Sequence, residues 1–363
     1  MTARRSVAAG AVLFLLLSAG CGPAPSDREL WRFSMYNRRL WHGWCAAAAP
    51  AVDGDRLYVG GGYGWWTRKT ALWALNRHTG AVVWTAAVPQ GVSFDTSSGA
   101  FSALTIEGGV VLAAVGDGLG AFSATDGERM WLRPNTWPMR AVAGDAVFAV
   151  TQSRLIALDL HTGRERWQRS LPEPPAAAPV VVGGRVFVGA ARRAALLAFD
   201  AESGNDAEAI TGLPGFNGSF VLVAKRILAG AVRDARPVTY VIDAETGAVE
   251  SRTALLVGHD APVAYFATAD GGLEVVDVTS GRTERRWPRL PQAADGGIVV
   301  DRDVFYQQNV RAGGGAVHAY ELASGMPAWS FVAGDWINGM ALAPGALYVS
   351  SEDCGVYALR TAR

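Results

Sequence analysis

The chain contains few of the residues that build metal and redox sites. Its 363 residues include only 3 cysteines and 5 histidines. No two cysteines are adjacent or two residues apart, and no two histidines have the spacing of metal ligands on one segment. We therefore expect no metal, no c-type haem and no other cofactor.

An excess of charge of one sign is also lacking. The chain carries 33 basic and 33 acidic residues, so its formal net charge at pH 7 is zero. Surfaces that bind nucleic acid usually carry a clear excess of lysine and arginine. We therefore expect no nucleic-acid partner.

Long apolar runs are confined to the first residues of the chain. A basic pair, Arg4-Arg5, precedes a short apolar segment, Val12 to Leu17. This segment is too short to span a bilayer, and the order of charge and apolar residues is that of an export signal. We interpret residues 1–20 as a signal peptide.

The residues that follow resemble the lipobox of bacterial lipoproteins. They read Leu17-Ser18-Ala19-Gly20-Cys21, which predicts cleavage before Cys21 and acylation of that cysteine. Residues 21–29 would then be a lipidated tether. The alternative is an ordinary secretory signal followed by an unrelated cysteine.

A repeated β pattern dominates the rest of the chain. In the stretch Ala143 to Trp167, two runs of alternating or β-branched residues, Ala146–Val150 and Leu155–Asp159, predict strands. The pair Thr162-Gly163 is a turn signal, and the stretch ends on a tryptophan. One such unit cannot bury its apolar face alone, so several copies must pack side by side.

Copies of this unit recur along the chain. Their turn glycines are about 34 to 47 residues apart, which is the length of a four-stranded propeller blade. They are Gly80, Gly127, Gly163, Gly204, Gly247, Gly281 and Gly325. A tryptophan follows four residues later at Trp84, Trp131, Trp167 and Trp329, and its recurrence predicts packing in the core or between blades.

The two ends of the repeat array complement each other. The last unit stops at Arg360 after three strands, whereas Leu30 to Phe33 is an outer strand without a blade. If this N-terminal strand completes the last blade, a ring of eight four-stranded antiparallel blades closes without exposed edges. We predict an all-β protein in which residues 30–363 form this single propeller as a monomer. Seven blades is the alternative if a weak repeat is degenerate.

Several units resemble the PQQ-like, or quinoprotein-type, propeller repeat. Leu57–Gly60, Val186–Gly189 and Leu347–Ser350 match its first strand, and the resemblance covers Leu30 to Arg360. Together with the lipobox, the whole chain looks like a member of the BamB-type lipoprotein family, the propeller subunit of the outer-membrane β-barrel assembly machinery. An acidic Asp-x-Asp-Thr-x-Pro loop associated with the partner contact of that family is absent here.

The resemblance implies a non-catalytic scaffold that binds a protein partner in the cell envelope, such as a β-barrel assembly complex. It also implies a lipid anchor on the periplasmic side of the outer membrane. In a cell with a single membrane, the anchor would lie on the outer face of that membrane. Gly22 after Cys21 favours the outer membrane. One alternative is a quinone-dependent or other small-molecule enzyme. Another is a glycan- or ligand-binding module.

Topology predicts which residues form the working surface. Neighbouring strands alternate in direction, so the loops between blades emerge on the same face as the middle hairpin of each blade. Long loops are expected on that face at residues 35–45, 61–69 and 308–315, and a further loop is expected in the fifth blade at residues 233–237. The predicted partner or ligand face contains Trp41, Trp44, Tyr63, Trp65, Trp66, Arg68, Trp137, Arg140, Phe216, Asn217, Trp336 and Asn338. The alternative is that the aromatic residues pack together and close the central funnel.

Two cysteines remain once Cys21 is assigned to the anchor. Cys45 and Cys354 both fall on the loop-rich face, where the last blade meets the first. Because exported proteins pass through oxidising compartments, we predict a disulfide between them. The alternative is two buried free thiols.

Overall fold

The computed structural model describes residues 27–35, 45–63, 69–88, 104–115, 118–136, 139–190, 195–213, 216, 220–234, 236–287, 297–301, 303–311 and 314–361. These residues form 33 β-strands and contain no helix. In these ranges nothing helical is therefore available to cross a membrane. The strands form eight antiparallel sheets, which confirms the predicted eight-bladed propeller.

Blades 1 to 4 follow one another along the chain. Blade 1 contains β2 (Cys45–Ala47), β3 (Ala51–Asp53), β4 (Arg56–Tyr63), β5 (Lys69–Asn76) and β6 (Val82–Ala87). Blade 2 contains β7 (Thr105–Glu107), β8 (Val110–Val115), β9 (Gly118–Ser123) and β10 (Arg129–Arg133). Blade 3 contains β11 (Arg140–Ala143), β12 (Ala146–Val150), β13 (Arg154–Asp159) and β14 (Glu165–Ser170). Blade 4 contains β15 (Val180–Val182), β16 (Arg185–Ala190), β17 (Ala195–Asp200) and β18 (Asp206–Ile210).

Blades 5 to 7 repeat this order, and blade 8 takes its outer strand from the other end of the chain. Blade 5 contains β19 (Phe220–Val223), β20 (Arg226–Arg233), β21 (Arg236–Asp243) and β22 (Val249–Arg252). Blade 6 contains β23 (Ala254–Asp260), β24 (Val263–Thr268), β25 (Leu273–Asp277) and β26 (Thr283–Trp287). Blade 7 contains β27 (Ile298–Asp301), β28 (Val304–Arg311), β29 (Gly314–Glu321) and β30 (Pro327–Val332). Blade 8 contains β31 (Ile337–Ala343), β32 (Ala346–Ser351), β33 (Gly355–Arg360) and β1 (Glu29–Ser34).

The propeller has two faces of different character. The first strand of each blade lies innermost, and the first strands of neighbouring blades contact each other around the centre. The loop face carries the connections between blades and the hairpin between the second and third strands. The turn face carries the tight turns between the third and fourth strands. The described chain starts and ends on the turn face, where the Arg360 N–H donates to the Arg28 carbonyl at 2.8 Å.

The core lies between blades. Middle strands such as β8 and β12 are buried along their whole length because neighbouring blades cover both of their faces. One apolar cluster joins Tyr58 and Leu72 of blade 1 to Val111 of blade 2, and similar clusters follow around the ring. Each blade is therefore stabilised mainly by its neighbours, as expected for a repeat protein.

Where two blades meet, at what we call a seam, a tryptophan of one blade packs against the turn glycine of the next. Trp84 of blade 1 is 8% exposed, and its Nε1 donates to the Ala124 carbonyl of blade 2 at 3.0 Å. Gly127 in the next turn has a φ of +78° and lies so close that a Cβ there would be 2.5 Å from the Trp84 ring. The same packing joins Trp31 to Gly80, Trp131 to Gly163, Trp167 to Gly204 and Trp287 to Gly325. The predicted packing role of Trp84, Trp131 and Trp167 is confirmed.

Trp287 has this role although the repeat pattern did not predict it. Arg285 pairs with Val275 at the register position that Trp84 and Trp167 occupy in their blades. The Arg285 guanidinium donates to the Leu322 carbonyl, and Trp287 reaches the turn of blade 7 from two positions further along. Trp329 is only half-buried, and the Arg28 guanidinium lies 5.7 Å from its ring centre.

Arginine takes the place of tryptophan at two seams. Blade 4 lacks the tryptophan, as its sequence indicates, and Arg185 Nη2 donates to the Ala244 carbonyl of blade 5 at 2.5 Å. Between blades 5 and 6, Arg252 Nη2 donates to the Gly281 carbonyl at 2.6 Å. At these two seams, an arginine donates the hydrogen bond that a tryptophan indole donates at others.

The turns that carry the glycines are held by aspartate. In blade 3 the Asp159 carboxylate forms an ion pair with Arg166 at 2.8 Å and accepts hydrogen bonds from the Thr162 N–H and hydroxyl at 2.9 and 2.8 Å. The Arg166 contact, followed by those of Thr162, holds the pKa of Asp159 far below its ordinary value. The Thr-Gly turn is thus an aspartate-capped turn, which explains why the pattern recurs.

The N-terminal strand closes the ring, as predicted. β1 pairs antiparallel with β33, and Trp31 lies opposite Ala358. Trp31 Nε1 donates to the Arg77 carbonyl of blade 1 at 3.0 Å, so the same residue joins blade 8 to blade 1. One strand thus completes the last blade and fastens it to the first.

Strands extend into three of the predicted loops. β4 and β5 pair out to Tyr63 and Lys69, β20 and β21 to Arg233 and Arg236, and β28 and β29 to Arg311 and Gly314. The residues between these pairs, 64–68, 235 and 312–313, lie outside the described residues, apart from Asp234. The predicted bounds were too wide because glycine and charged residues were taken as loop signals, whereas backbone pairing continues into those positions. What remains are three extended hairpins on blades 1, 5 and 7.

Candidate functional site

The loop face is shaped by the three extended hairpins. Their strands are eight residues long, compared with five and six in the middle hairpin of blade 3. At the tip of the blade 5 hairpin, Arg233 and Arg236 face each other as cross-strand partners, and both are exposed. The hairpins are therefore longer than their counterparts in blade 3, and the blade 5 hairpin adds exposed positive charge to this face.

Trp336 is the most exposed aromatic side chain on the described part of this face and the clearest candidate for binding. Its side chain is 48% exposed, on the connection that leads into β31. Its backbone is fixed, because its carbonyl accepts the Glu352 N–H at 2.8 Å and its N–H is bonded by the Asp335 carboxylate at 2.9 Å. Exposed aromatic side chains on a fixed backbone are typical anchors of protein interfaces.

The middle hairpin of blade 8 supports Trp336 from below. Asp353 accepts the Gly355 N–H at 2.8 Å, the Gly334 N–H at 3.2 Å and the hydroxyl of Tyr357. Burial, and then this carboxylate, raise the pKa of Tyr357. Burial, and then Asp335, raise the pKa of Glu352. This part of the face is a rigid polar platform beneath the exposed indole ring.

Two predicted site residues have structural roles instead. Phe216 is only 6% exposed and packs edge-on against Phe220, with ring centres 5.1 Å apart. It belongs to the apolar core between blades 4 and 5. Arg140 on β11 donates from Nη2 to Thr105 Oγ1 at 3.1 Å and to the Leu112 carbonyl at 3.0 Å, so it joins blade 3 to blade 2. Burial lowers the pKa of Arg140 to about 10.

The remaining predicted residues are only partly described. Asn338 lies on β31 beside the central funnel and is half-buried. Tyr63 ends β4, where its backbone pairs with Cys45. Trp41, Trp44, Trp65, Trp66, Arg68, Trp137, Asn217 and the lipidation residue Cys21 lie outside the described residues. Whether the loop aromatics bind a partner or close the funnel stays a prediction.

A cleft that sequence reasoning missed lies on the loop face between blades 5 and 6. It is open to solvent, with a volume of about 510 Å³. Glu274 lies 3.8 Å from Arg252 and 3.6 Å from Arg286, and Arg286 also contacts Asp270 at 3.3 Å. These residues are scattered over three strands and a turn, so no sequence motif unites them. The cleft offers charge and hydrogen bonds for binding.

Metal chemistry finds no support in the described part of the chain. Among those residues, no three histidine, cysteine, aspartate or glutamate side chains are placed to share a metal ion. The features present on the loop face are an exposed indole, exposed arginines and paired charges. They are features of a binding surface.

Cys354 is disulfide-bonded and lies at the junction of blade 8 with the N-terminal strand. Its carbonyl accepts the Met35 N–H at 3.0 Å, just beyond β1. Cys45 begins β2, and the pairing of these two cysteines remains our prediction. We expect peptide mapping without reduction to recover residues 45 and 354 in one linked pair, and reduction to cost about 2–4 kcal/mol of stability.

The Cys21→Ser variant is the control for this pairing, because it removes the third cysteine. It should keep the same linked peptides. A bridge from Cys354 to Cys21, or two titratable thiols in the unfolded, unreduced protein, would contradict the prediction.

This chain is an eight-bladed β-propeller built from PQQ-like repeats. The eight sheets and the recurring tryptophan–glycine contacts between them define this class. The chain belongs to the family described as outer membrane protein assembly factor BamB, whose model matches residues 22–250. At the level of the family, this places the chain among assembly scaffolds of the cell envelope. It confirms the family resemblance seen in the sequence.

Solved structures with the same fold include a BamB protein and two proteins of other names. BamB from Moraxella catarrhalis has 15% identity and a TM-score of 0.63, covering 92% of this chain and 98% of that one. The computationally designed Ika8 protein has 13% identity and a TM-score of 0.68, covering 92% and 99%. Sqt1 from Saccharomyces cerevisiae has 11% identity and a TM-score of 0.64, covering 93% and 100%. No curated protein matches the chain, and at these identities the structures support the fold alone.

Proposed function

We propose that this protein is a non-catalytic scaffold, exported and anchored by a lipid on Cys21, whose loop face holds a protein partner. The partner class we propose is a β-barrel assembly complex on the periplasmic side of the outer membrane. The family match over residues 22–250 is the observation that carries this proposal.

The loop face supports the proposal physically. The exposed indole of Trp336 stands on a hydrogen-bonded platform, and the exposed arginines of the blade 5 hairpin are available for pairing with carboxylates. An aromatic anchor surrounded by charge is the usual arrangement of an interface hot spot and its rim. A rigid ring beneath it lowers the entropy lost on binding.

The sequence before β1 supports the anchor. A basic pair, a short apolar segment and a lipobox ending at Cys21 occur in the order that export and acylation require. Acyl chains on one cysteine suffice for stable attachment, because each buried CH₂ contributes about 0.8 kcal/mol.

A photo-crosslinking residue at position 336 tests the proposed partner. In cells, we expect the probe to capture a subunit of the β-barrel assembly complex. The control places the same probe at Glu202, which is exposed on the turn face of blade 4 and should capture no such subunit. Equal capture from both positions, or capture from position 202 only, would contradict the loop face as the working surface. Cell fractionation of Cys21→Ser tests the anchor separately, since this variant should leave the membrane fraction.

A further inference from the structure

The rim of the turn face is apolar on one side of the ring only. Each outer strand starts at this rim, directly after the turn. On four consecutive blades, 7, 8, 1 and 2, the first residues of that strand include large apolar side chains that are exposed. They are Met326 (61%), Leu30 (43%), Val82 (50%), Val83 (47%) and Met130 (40%), which we call the apolar arc.

The other side of the ring carries polar residues at the same positions. Blade 3 has Arg164 to Arg166, blade 4 has Asn205-Asp206, and blade 6 has Arg282 to Glu284, all of them exposed. Blade 5 has one exposed apolar residue, Val249, between neighbours with charged rims. Because the repeat gives every blade the same backbone here, the difference lies in the side chains alone.

Packing across the seams brings the members of the arc together. The Gly80 turn rests on the Trp31 ring, which places the start of β6 beside β1. The Gly127 turn rests on Trp84 in the same way, and Arg28 lies over Trp329 of blade 7. The exposed apolar side chains thus follow one another along the rim of four consecutive blades out of eight.

The chain enters the ring in the middle of this arc. The first described residue, Asp27, lies on the turn face beside Leu30, and Cys21 is six positions earlier in the sequence. Six residues can span at most about 20 Å. A lipid on Cys21 would therefore hold the apolar arc close to the bilayer surface, although exposed charged residues, such as Glu128 and Arg129 beside Met130, also lie there.

We propose that the apolar arc of blades 7, 8, 1 and 2 rests on the lipid surface and sets the orientation of the ring. This inference rests on the proposed anchor at Cys21. The contact is small, but a tether raises the local concentration of lipid so far that a weak contact is occupied. With the arc on the bilayer, the loop face points away from the lipid, toward soluble segments of a partner.

Fluorescence quenching on vesicles of phosphatidylethanolamine and phosphatidylglycerol tests the orientation. The full chain carries a hexahistidine tag inserted after Ser26 and is held on nickel-chelating lipid, so attachment does not depend on acylation. An environment-sensitive fluorophore is placed by cysteine substitution at Val83 or Met326, and in controls at Asn205 or Thr283. Brominated lipid should quench the arc positions at least twofold more than the control positions.

Lysine variants test the chemistry of the contact. Leu30→Lys, Val82→Lys and Met130→Lys together should remove the excess quenching at positions 83 and 326. His161→Lys, Ala248→Lys and Thr279→Lys, exposed on the turn face of blades 3, 5 and 6, add the same charge and should leave it unchanged. Equal quenching at arc and control positions would overturn the proposal, as would sedimentation showing that the arc joins two copies of the chain. Flotation of the untagged chain against its Cys21→Ser variant reports on the anchor alone, so failure of the anchor and failure of the arc are distinguishable.

Discussion

Deleting β1, residues 29–34, should lower the free energy of unfolding by more than about 5 kcal/mol and convert the protein into an aggregating species. The deletion removes Trp31, which is half-buried at its seam, and truncating a packed tryptophan costs up to about 3–5 kcal/mol. It also removes the pairing with β33 and the contact of Arg32 with the Tyr357 ring, 4.4 Å from its centre. The uncovered edge of β33 is then free to pair with other molecules.

Two point variants in the same strand sharpen this prediction. Trp31→Ala should lose about 3–5 kcal/mol, whereas Leu30→Ala, at a side chain that is 43% exposed, should stay within about 0.5 kcal/mol. Denaturant unfolding and light scattering measure both effects. A deletion variant that remains monomeric with an unchanged midpoint would show that blade 8 does not need its fourth strand.

Replacing Gly127 by alanine should cost about 2–5 kcal/mol, although only a methyl group is added. At a φ of +78° the alanine would be strained by about 1–2 kcal/mol. Its Cβ would also lie 2.5 Å from the Trp84 ring, and overpacking of this kind costs about 1–3 kcal/mol more. The seam between blades 1 and 2 must open to accept it.

Gly144 provides the matched control for Gly127. It has a similar left-handed conformation, with a φ of +57°, but nothing lies within 4 Å of its would-be Cβ. Gly144→Ala should therefore show the conformational cost alone, about 1–2 kcal/mol. The difference between the two variants in guanidinium unfolding isolates the contact with tryptophan. Equal losses of stability in the two variants would mean that the contact with Trp84 adds no cost to the substitution at Gly127.

The repeat allowed the fold to be predicted from local signals. The turn glycine must adopt a left-handed conformation and lie on the neighbouring tryptophan, so both residues recur at a fixed spacing that sequence alone reveals. The count of strands also predicted that Leu30 to Phe33 completes the ring, because a propeller tolerates no open blade. Both features are dictated by repetition.

Features that depart from the repeat could not be predicted in this way. Trp287 lies two positions from the expected place because Arg285 occupies it, and a long arginine side chain reaches the same carbonyl acceptor as an indole. Phe216 lies in the core between blades 4 and 5, which its neighbours in the sequence do not indicate. The extended hairpins depend on cross-strand pairing, and short-range signals carry no information about it.

The candidate site was predicted in outline only. Alternation of strand direction predicts which face carries the hairpins and blade connections, and Trp336 lies there as expected. The cleft between blades 5 and 6 could not be predicted, because Arg252 of blade 5 meets the cross-strand pair Glu274 and Arg286 of blade 6 only when two blades pack. Side chains that meet only because two blades pack together have no characteristic spacing in the sequence.

Completion of blade 8 by β1 has a consequence for how the protein is made. The first described strand to be synthesised pairs with the last, as in the hydrogen bond of Arg32 to Tyr357 across 325 positions. Seven blades can form in succession during synthesis, but the ring cannot close until β33 has been made. Pairing over so large a separation is slow. Until it occurs, β1 and β33 each leave a strand edge unpaired, and such edges can pair with other molecules.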